Sequence, residues 1–512
     1  MARERLARSG LISLAGSAFA ALAALVLTAI VAGTVGASGT GVFFQAVGIF
    51  TILTQVLRLG TNSGIVRFIS EQRAFGRAGA EWRILLYALV PVAIVSGLVS
   101  LAVWIYADAL AVWLAAPGET DALADLLRTM APFVACGALI GVLQIASRML
   151  RGVTTFTMLQ SILLPASRLL TVWGVFLVGA TAWTAFQAWL WPLPFWLLIT
   201  IVILAAPLAR DFRRRHESMA PVTDNTEGAA ENHPSFTRFW RFNAPRSVSS
   251  GLETALEWSD ILIVAALASP AVAGVYAVAT RAVRAGGVVD KAMRVAVSPT
   301  ISAHLARGET AASSLLHTRV VRTMILLNWP FYLLLISMGP AVLAIFGEEF
   351  VIGWGPMALL AAAMMFQTAA GMLQSILLQG GRSTWQLYNK SIALTISIGA
   401  NLVLVPLLGL WGAAITWTIV VLVDNLIAAV QVHRGMKVHL RPSALLSHAL
   451  IPVIVFGAGG FAFSAWGGTS LVVLLLAVIV LCALYAAVLW VLRRRLGIQN
   501  LWRMIPVIGR HA

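Results

Sequence analysis

The sequence predicts an all-α polytopic membrane protein of about 14 transmembrane helices, arranged as two pseudo-symmetric six-helix lobes plus a C-terminal helix pair. Three observations carry that prediction. Hydrophobic residues make up 60% of the 512-residue chain and charged residues only 11%. The apolar residues gather into runs of about 20, the length a helix needs to cross ~30 Å of hydrocarbon. The turns between runs alternate along the whole chain, one Arg-rich and the next free of Lys and Arg, which is the positive-inside pattern.

Taken in order, the N-terminal basic group Arg3/Arg5/Arg8 precedes spans 11–35 and 41–61, which turn at the uncharged Gly36. Arg67, Arg73 and Arg77 hold the next inner turn, before spans 83–106 and 123–145 with their outer turn near Asp108. Arg148 and Arg151 then introduce spans 157–179 and 183–207, joined outside near Gly179. Beyond Arg210 and Arg213–Arg215 come spans 243–267 and 271–299, turning at Pro270. Arg307, Arg319 and Arg322 lie before or within the first turns of 318–344, which pairs with 353–379, and Arg382 and Lys390 lie before or near the start of 385–407, which pairs with 411–432. Arg434, Lys437 and Arg441 lead into 444–466 and 470–492, and Arg493–Arg495 close the series. An even number of spans with basic ends places both termini in the cytoplasm.

A net charge of +16 would suggest nucleic acid for a soluble protein. Here the cations occupy inner turns, so they set orientation and meet anionic membrane lipids, and no nucleic-acid partner is expected. Cys136 and Cys482 both fall inside apolar runs and imply neither a disulfide nor a metal site. The first apolar run is too long for a cleavable signal peptide and leads directly into the bundle. Arginine far outnumbers lysine, as in products of GC-rich bacterial genomes.

Residues 208–237 form the one long polar stretch, too poor in apolar side chains to fold, and read as a flexible cytoplasmic linker. The organisation predicted is an N-lobe at 1–207, the linker at 208–237, a C-lobe at 238–432, and a C-terminal helix pair and tail at 433–512. Residues 236–246, FTRFWRFNAPR, read as a short interfacial amphipathic helix feeding the seventh span. GVFFQAV at 41–47 matches GVYAVAT at 274–280, an offset of 233, and GVLQ at 141–144 matches GMLQ at 371–374, an offset of 230. Six spans separate the members of each pair, so the halves enter the membrane the same way and form a parallel repeat.

Ionisable residues within apolar spans are costly and are functional candidates for that reason. The cations are Arg168 in the fifth span and Arg281, Arg284, Lys291 and Arg294 in the eighth; the acids are Glu253, Glu257, Asp260, Asp290 and Asp424. Spans seven and eight form a hairpin turning at Ser269/Pro270, and equal depth pairs Asp260 with Arg281 and Glu257 with Arg284. Mutual neutralisation for insertion accounts for such pairs as readily as function does. Glu253 is left over, opposite Val288. Arg168 has no acid nearby in sequence and needs an aqueous cavity, a ligand or a distant partner. Arg58 and Lys291 are separated by the 233-residue repeat offset, which suits either a cavity mouth or snorkelling to the inner headgroups. Gln45, Gln144, Gln374 and Asn328 suit a sugar cavity or helix-to-helix hydrogen bonds.

No GxxxxGK[ST] exists, since the three lysines follow Asp290, Asn389 and Met436, so no phosphate-cradling loop for ATP is present. HExxH and Cys/His metal spacings are also missing from the sequence. The outer turns are too short to house a catalytic domain. The expectation is a transporter rather than an enzyme, with no cofactor and no metal.

The chain resembles the polysaccharide-synthesis flippases of the multidrug/oligosaccharidyl-lipid/polysaccharide exporter (MOP) superfamily. GVFFQAVGIFTILTQVLRLGTNSGIVRFISEQ at 41–72 is similar to the family's glycine-aromatic second helix and basic inner segment. WSDILIVAALASPAVAGVYAVATRAV at 258–283 resembles its Asp on helix seven and Gly-x-Tyr-x-x-Ala on helix eight. GLWGAAITWTIVVLVDN at 409–425 resembles the start of its helix twelve. The resemblance implies a V-shaped pair of lobes around a central cavity, alternating access, and transfer of polyprenyl-diphosphate-linked oligosaccharide across the bacterial cytoplasmic (inner) membrane. It also implies polysaccharide polymerase or glycosyltransferase partners. Arg168, Arg281, Arg284, Lys291 and Arg58 are then the substrate-binding candidates, with Glu253, Glu257 and Asp260 in charge pairing or ion coupling. A lipid II flippase and a multidrug or toxin antiporter of the same superfamily are the alternatives; a membrane glycosyltransferase would need larger outer loops.

Overall fold

A break at Gly36 shapes the start of the molecule. The computed structural model describes residues 2–74, 81–116, 118–179, 181–217, 235–439, 445–468 and 470–496. Helix α1 (Ala2–Leu57) leaves helical geometry at Gly36, whose φ of 67° and ψ of −174° suit a residue without a Cβ. The break frees the Ala37 N–H, which donates to Glu349 Oε1 at 2.8 Å. The rest of the N-terminal half is α2 (Thr61–Ala74), α3 (Glu81–Ile105), α4 (Ala107–Leu114), α5 (Thr120–Leu150) and α6 (Val153–Thr157). A wide π turn at Met158–Leu163 joins α6 to α7 (Leu164–Phe176), followed by α8 (Ala182–Leu190) and α9 (Pro192–Glu217).

The second half begins with α10 (Phe236–Leu267), α11 (Pro270–Ala285), α12 (Val288–Ala306), α13 (Thr310–Ser337) and α14 (Gly339–Ala344). Next are α15 (Trp354–Ala370), α16 (Leu373–Gln379), α17 (Ser383–Leu408) and α18 (Leu410–Val430). The last elements are α19 (Leu446–Pro452), α20 (Gly459–Gly467) and α21 (Leu471–Leu492). Every regular element among the described residues is helical, as a chain that must satisfy its backbone inside hydrocarbon requires.

Among the described residues 11 helices are long and apolar enough to span a membrane, or 12 when α11 and α12 are joined across their bend. Two causes account for the difference from 14. Ile12–Arg73 counts as a single 62-residue stretch although it carries two predicted spans on either side of Gly36. Helix α10 is 32 residues long but carries Glu253, Glu257 and Asp260 in its apolar part. The protein is a multi-pass membrane protein.

The sequence-predicted linker at 208–237 is helical at its start, because α9 continues to Glu217; residues 218–234 lie outside the described residues. The separate interfacial helix expected at 236–246 is not separate. It is the first third of α10 and is held by protein contacts: Phe239 and Asn243 are fully buried, Arg238 pairs with Glu71 at 2.7 Å, and Trp240 Nε1 donates to the Tyr87 carbonyl at 3.1 Å. A side chain at Gly64 would collide with the Asn243 amide, so the glycine is what lets this segment seat against α2.

The chain divides into two compact units, one formed by residues 15–23 and 45–258, the other by 1–14, 24–44 and 259–512. In the first, α5 is the central helix, packed by α3, α4 and α9 through Ile84, Leu85, Ala88, Met130, Val134 and Ala138. Gly137 and Gly141 give α5 a smooth face, against which Phe50 and Thr54 of α1 and Arg58 just past its end lie. In the second, α13, α15, α17 and α18 form the core, and α21 joins a buried cluster with Leu326 and Leu333 of α13 through Leu474, Leu481 and Tyr485. Pro330 deprives the Leu326 carbonyl of its helical partner, and the Tyr485 hydroxyl donates to that carbonyl at 2.8 Å.

One contact in the second unit bears on the repeat. A Cβ on Gly41 would lie 1.8 Å from the Pro270 carbonyl oxygen, and a Cβ on Gly274 1.9 Å from that of Ala37. Gly41 and Gly274, like Ala37 and Pro270, are separated by the 233-residue offset that aligns the halves. The crossing of α1 and α11 is therefore reciprocal, as a local twofold requires, and small residues let the two backbones touch.

Candidate functional site

In the unit containing residues 45–258, the fifth span is where a guanidinium meets an aromatic platform. Arg168 projects from α7, one turn beyond the π turn at Met158–Leu163, a local widening often found at functional sites. Its guanidinium lies 3.6 Å from the Trp189 ring centroid, a cation–π contact. Trp189 is fixed in turn by stacking on Phe186 and by the edge of Phe50, 5.5 Å away. Helices α7 and α8 are tied beneath this platform by Thr171 Oγ1, which donates to the Ala188 carbonyl at 2.7 Å. The Arg168 Nε finds no hydrogen-bond acceptor among the described residues.

Arg58 follows the end of α1 directly, in the turn where the positive-φ residues Leu59 and Gly60 lead the chain into α2. Its guanidinium lies directly over Gly141, where a Cβ would stand 2.1 Å from Nε. Again Nε has no acceptor among the described residues. No described carboxylate forms an ion pair with Arg58 or Arg168. Glu253 and Glu257 lie one turn apart on α10 and are exposed. Carboxylates on an exposed face of a membrane helix need water beside them.

The unit containing residues 259–512 carries a different arrangement. Asp260 is buried; its Oδ1 accepts from the Ile261 N–H at 2.8 Å and its Oδ2 from the Tyr276 hydroxyl at 3.0 Å. Arg284, in the last turn of α11, approaches Asp260 Oδ2 at 3.7 Å. Equal depth pairs Asp260 with Arg281 and Glu257 with Arg284; Arg284 also reaches Asp260, about one turn from its own depth. The reason is side-chain reach, because an arginine is long enough to cover a 5.4 Å turn of helix, so Cα depth does not fix guanidinium depth. Arg281 stacks on Phe44, 3.8 Å from its ring centroid. Lys291 is exposed near the start of α12. Thus arginines stacked on aromatic rings occur in both units.

Two polar clusters in the same unit escaped the sequence reading. Lys390 Nζ approaches Asp424 Oδ2 at 2.8 Å while Gln374 Nε2 donates to Asp424 Oδ1 at 3.1 Å, joining α16, α17 and α18. Asn328 donates to Asp290, joining α13 to α12. Gln374 and Asn328 thus make helix-to-helix bonds, and Gln45 does the same by donating to the Leu114 carbonyl at 2.7 Å. The equal-depth argument applies here too, since Lys390 and Asp424 lie within about a turn of one another across the α17–α18 hairpin at Gly409, but Lys390 reads in the sequence as one of the inner-turn cations. Leaving one member of such a buried pair without the other costs about 3–5 kcal/mol. Lys390→Met should therefore lower the folded yield and melting temperature in detergent. Asp424→Asn in the same chain should restore part of both, and a double variant no better than the single would show that the pair does not carry stability.

A sequence model of the polysaccharide biosynthesis protein family matches residues 6–304. Curated protein sequences yield no match. Among solved structures, the fold is similar to that of lipid II flippase MurJ in an inward closed conformation, with a TM-score of 0.70, 12% identity, and coverage of 94% of this chain and 99% of that one. An inward-facing multidrug resistance MATE family transporter of the MOP superfamily has a TM-score of 0.61 at 16% identity, covering 86% of this chain and 99% of its own. A MOP superfamily transporter from Pyrococcus furiosus, described as having a binding pocket of reverse polarity, has a TM-score of 0.59 at 16% identity over 84% of this chain and 95% of that one.

Proposed function

Because the chain belongs to the polysaccharide biosynthesis protein family, we propose that it is a flippase for polyprenyl-diphosphate-linked oligosaccharide, working by alternating access without ATP. The observation that carries this reading is the state of Arg58 and Arg168. Both lie in membrane-spanning segments, and neither has a described carboxylate partner. A guanidinium without a protein counter-ion in a membrane span is costly, and a diphosphate head supplies the missing anion. Arginine's planar fork matches phosphate oxygens, and its stacking on Trp189 holds the fork in place while leaving its edge for the ligand.

Arg168, Arg281 and Arg284 are then the substrate cations, and Arg58 and Lys291 guide the head group from the cytoplasmic side. Sugar hydroxyls need a polar path, since each costs several kcal/mol to strip of water, whereas the lipid tail stays in the bilayer. Asp260 competes with the diphosphate for Arg284, which favours release, and the exposed Glu253 and Glu257 keep the path hydrated. An inside-negative potential moves the anionic head outward, contributing ~2.3 kcal/mol per charge per 100 mV. The alternating basic turns support an inner-membrane orientation with both termini and the 208–237 segment in the cytoplasm. A polymerase or glycosyltransferase of the same pathway would meet the product or supply the substrate.

The test is purified protein in proteoliposomes whose inner leaflet holds a polyprenyl-diphosphate oligosaccharide. Glycan exposure to membrane-impermeant periodate should rise faster than in empty vesicles, and faster still with an inside-negative potential. Vesicles no faster than empty ones, alongside uptake of a cationic drug, would replace this reading with that of an antiporter. In intact cells an impermeant maleimide should label Ser38→Cys and spare Ser218→Cys; the reverse would overturn the orientation.

A further inference from the structure

Past the end of α18 the chain doubles back on itself. A single π turn at Gln431–Gly435 widens the last turn of the helix, and Lys437 takes a left-handed φ of 56°. The Val438 N–H then donates to the Val432 carbonyl at 3.3 Å and closes the reversal. Val432 and Val438 are both buried, in a cluster with Ile376 and Leu377 of α16. Trp385 covers Gly435, where a Cβ would stand 2.6 Å from the ring, and Met436 lies over Gly380. Apolar packing therefore fixes the turn from its inner side.

With the two valines facing inward, the next residue on each limb is held outside. These are His433 and His439, both exposed. Their Nδ1 atoms face each other at 2.7 Å, with ring centroids 4.3 Å apart. Five residues separate them in the chain, which is not a spacing that signals a metal; the reversal makes the pair. The second limb has its own anchor, because the His439 N–H donates to Ser314 Oγ of α13 at 2.9 Å. The rings are thus brought together by the backbone and not only by each other.

Two neutral imidazoles in this contact share one proton, one Nδ1 donating and the other accepting. Between exposed rings such a bond gains little over water. A left-handed backbone at a residue with a Cβ is costly, and strain of that kind collects where a chain is held for a purpose. A metal ion about 2.0–2.1 Å from each of two nitrogens holds them about 2.9–3.4 Å apart, for angles from square to tetrahedral. Small rotations of two exposed rings cover the difference from the observed separation. Among the described residues no third His, Cys, Asp or Glu joins the pair, so water completes the coordination. Arg434 and Lys437, exposed on the same turn, oppose a hard cation held by charge. Imidazole lone pairs instead suit zinc, copper and nickel.

We propose that His433 and His439 form a binding site for a divalent transition-metal ion of the zinc–copper class. On binding, the donating ring carries its proton on Nε2 instead, toward water, and both Nδ1 lone pairs face the ion. The ion closes the turn between α18 and the segment leading to α19. Because that segment is tied to α13 through Ser314, it also fastens the end of α18 to α13.

Calorimetric titration of the full-length protein in lipid nanodiscs, its affinity tag removed, tests the site with Zn²⁺ alone. The wild type should bind one Zn²⁺ per chain more than His433→Ala/His439→Ala, and His304→Ala should keep that ion. His433→Gln preserves a hydrogen-bond partner for His439 but supplies a poor ligand. It should weaken binding about tenfold or more, no less than the loss of an outer-shell partner does. His439→Cys offers a thiolate in place of imidazole and should retain the ion. With Cu²⁺ as probe, electron paramagnetic resonance should show two coordinating nitrogens in the wild type and one in His433→Gln. Trypsin gives a structural readout, since Arg434 and Lys437 lie inside the chelated turn. At about ten times its dissociation constant, Zn²⁺ should slow cleavage after either residue about tenfold in the wild type and not in the double variant. Equal Zn²⁺ binding by the wild type and the double variant, or unweakened binding by His433→Gln, would overturn the proposal. Neither readout involves lipid-linked sugar, so failure here is distinct from failure of the flippase reading.

Discussion

Arg168→Ala will slow flipping about 10- to 100-fold at equal protein abundance, the loss expected when a charge-assisted hydrogen bond of about 1.5–3 kcal/mol is removed. Nothing in the fold requires the arginine there. It pairs with no described carboxylate, and its contact with Trp189 is worth about 0.5–2 kcal/mol. Melting temperature and yield should therefore change little while transport collapses. Arg168→Lys keeps the charge but loses the planar fork and most of the stacking, so it should fall between wild type and Arg168→Ala. Trp189→Phe retains a ring beneath the guanidinium and should be milder than Trp189→Ala. The measurement is initial flipping rate in proteoliposomes against quantified protein. Wild-type rates in Arg168→Ala would remove the residue from the mechanism and leave only the family assignment standing.

The second large effect is on assembly. Gly41→Ala should destabilise the protein by about 3 kcal/mol or more, the upper range for forcing atoms into a filled site. The inserted methyl would lie 1.8 Å from the Pro270 carbonyl oxygen, which is backbone and has nowhere to rotate. Because the crossing is reciprocal, Gly274→Ala should do the same against Ala37. Gly33→Ala is the control: it lies in the same helix with nothing near its Cβ position, and alanine is the better helix former by about 1 kcal/mol. Thermal melting and monodisperse yield in detergent are the readouts. Equal stability of Gly41→Ala and Gly33→Ala would mean that the close approach of α1 and α11 does not hold the fold.

These two predictions were not equally visible in the sequence. The membrane class, the helical architecture and the parallel offset of 233 could be read directly, because hydrocarbon thickness and loop charge act residue by residue. Gly41 and Gly274 stood out as a repeated motif, but that they touch each other is a tertiary fact. For the candidate site the limits are sharper. Arg168 is conspicuous as a charge in an apolar run, yet Trp189, its platform, sits among other aromatics with nothing to distinguish it. The hairpin register sets Asp260 opposite the stretch of α11 that carries Arg281 and Arg284, but it cannot show that Arg284 reaches Asp260 from about a turn away, because Cα depth is not guanidinium depth. The 236–246 segment departs from its expectation for a related reason: its amphipathic face is covered by α2 and α3, and periodicity cannot tell a protein surface from a lipid surface.

The Glu349 carboxylate at the Gly36 break sets an order on the making of the molecule. Its partner, the Ala37 N–H, precedes it by 312 residues. At translation rates of about 5–20 residues per second, that hydrogen bond must wait roughly 15–60 seconds after residue 37 leaves the ribosome. During that interval the second limb of α1 already lies in or beside the bilayer with its first amide uncapped by the protein, relying on interfacial water. The N-terminal helix pair can insert early, but it acquires its final geometry only when the chain is two-thirds complete, so a nascent chain halted before Glu349 should still hold its first turn in an open, hydrated form.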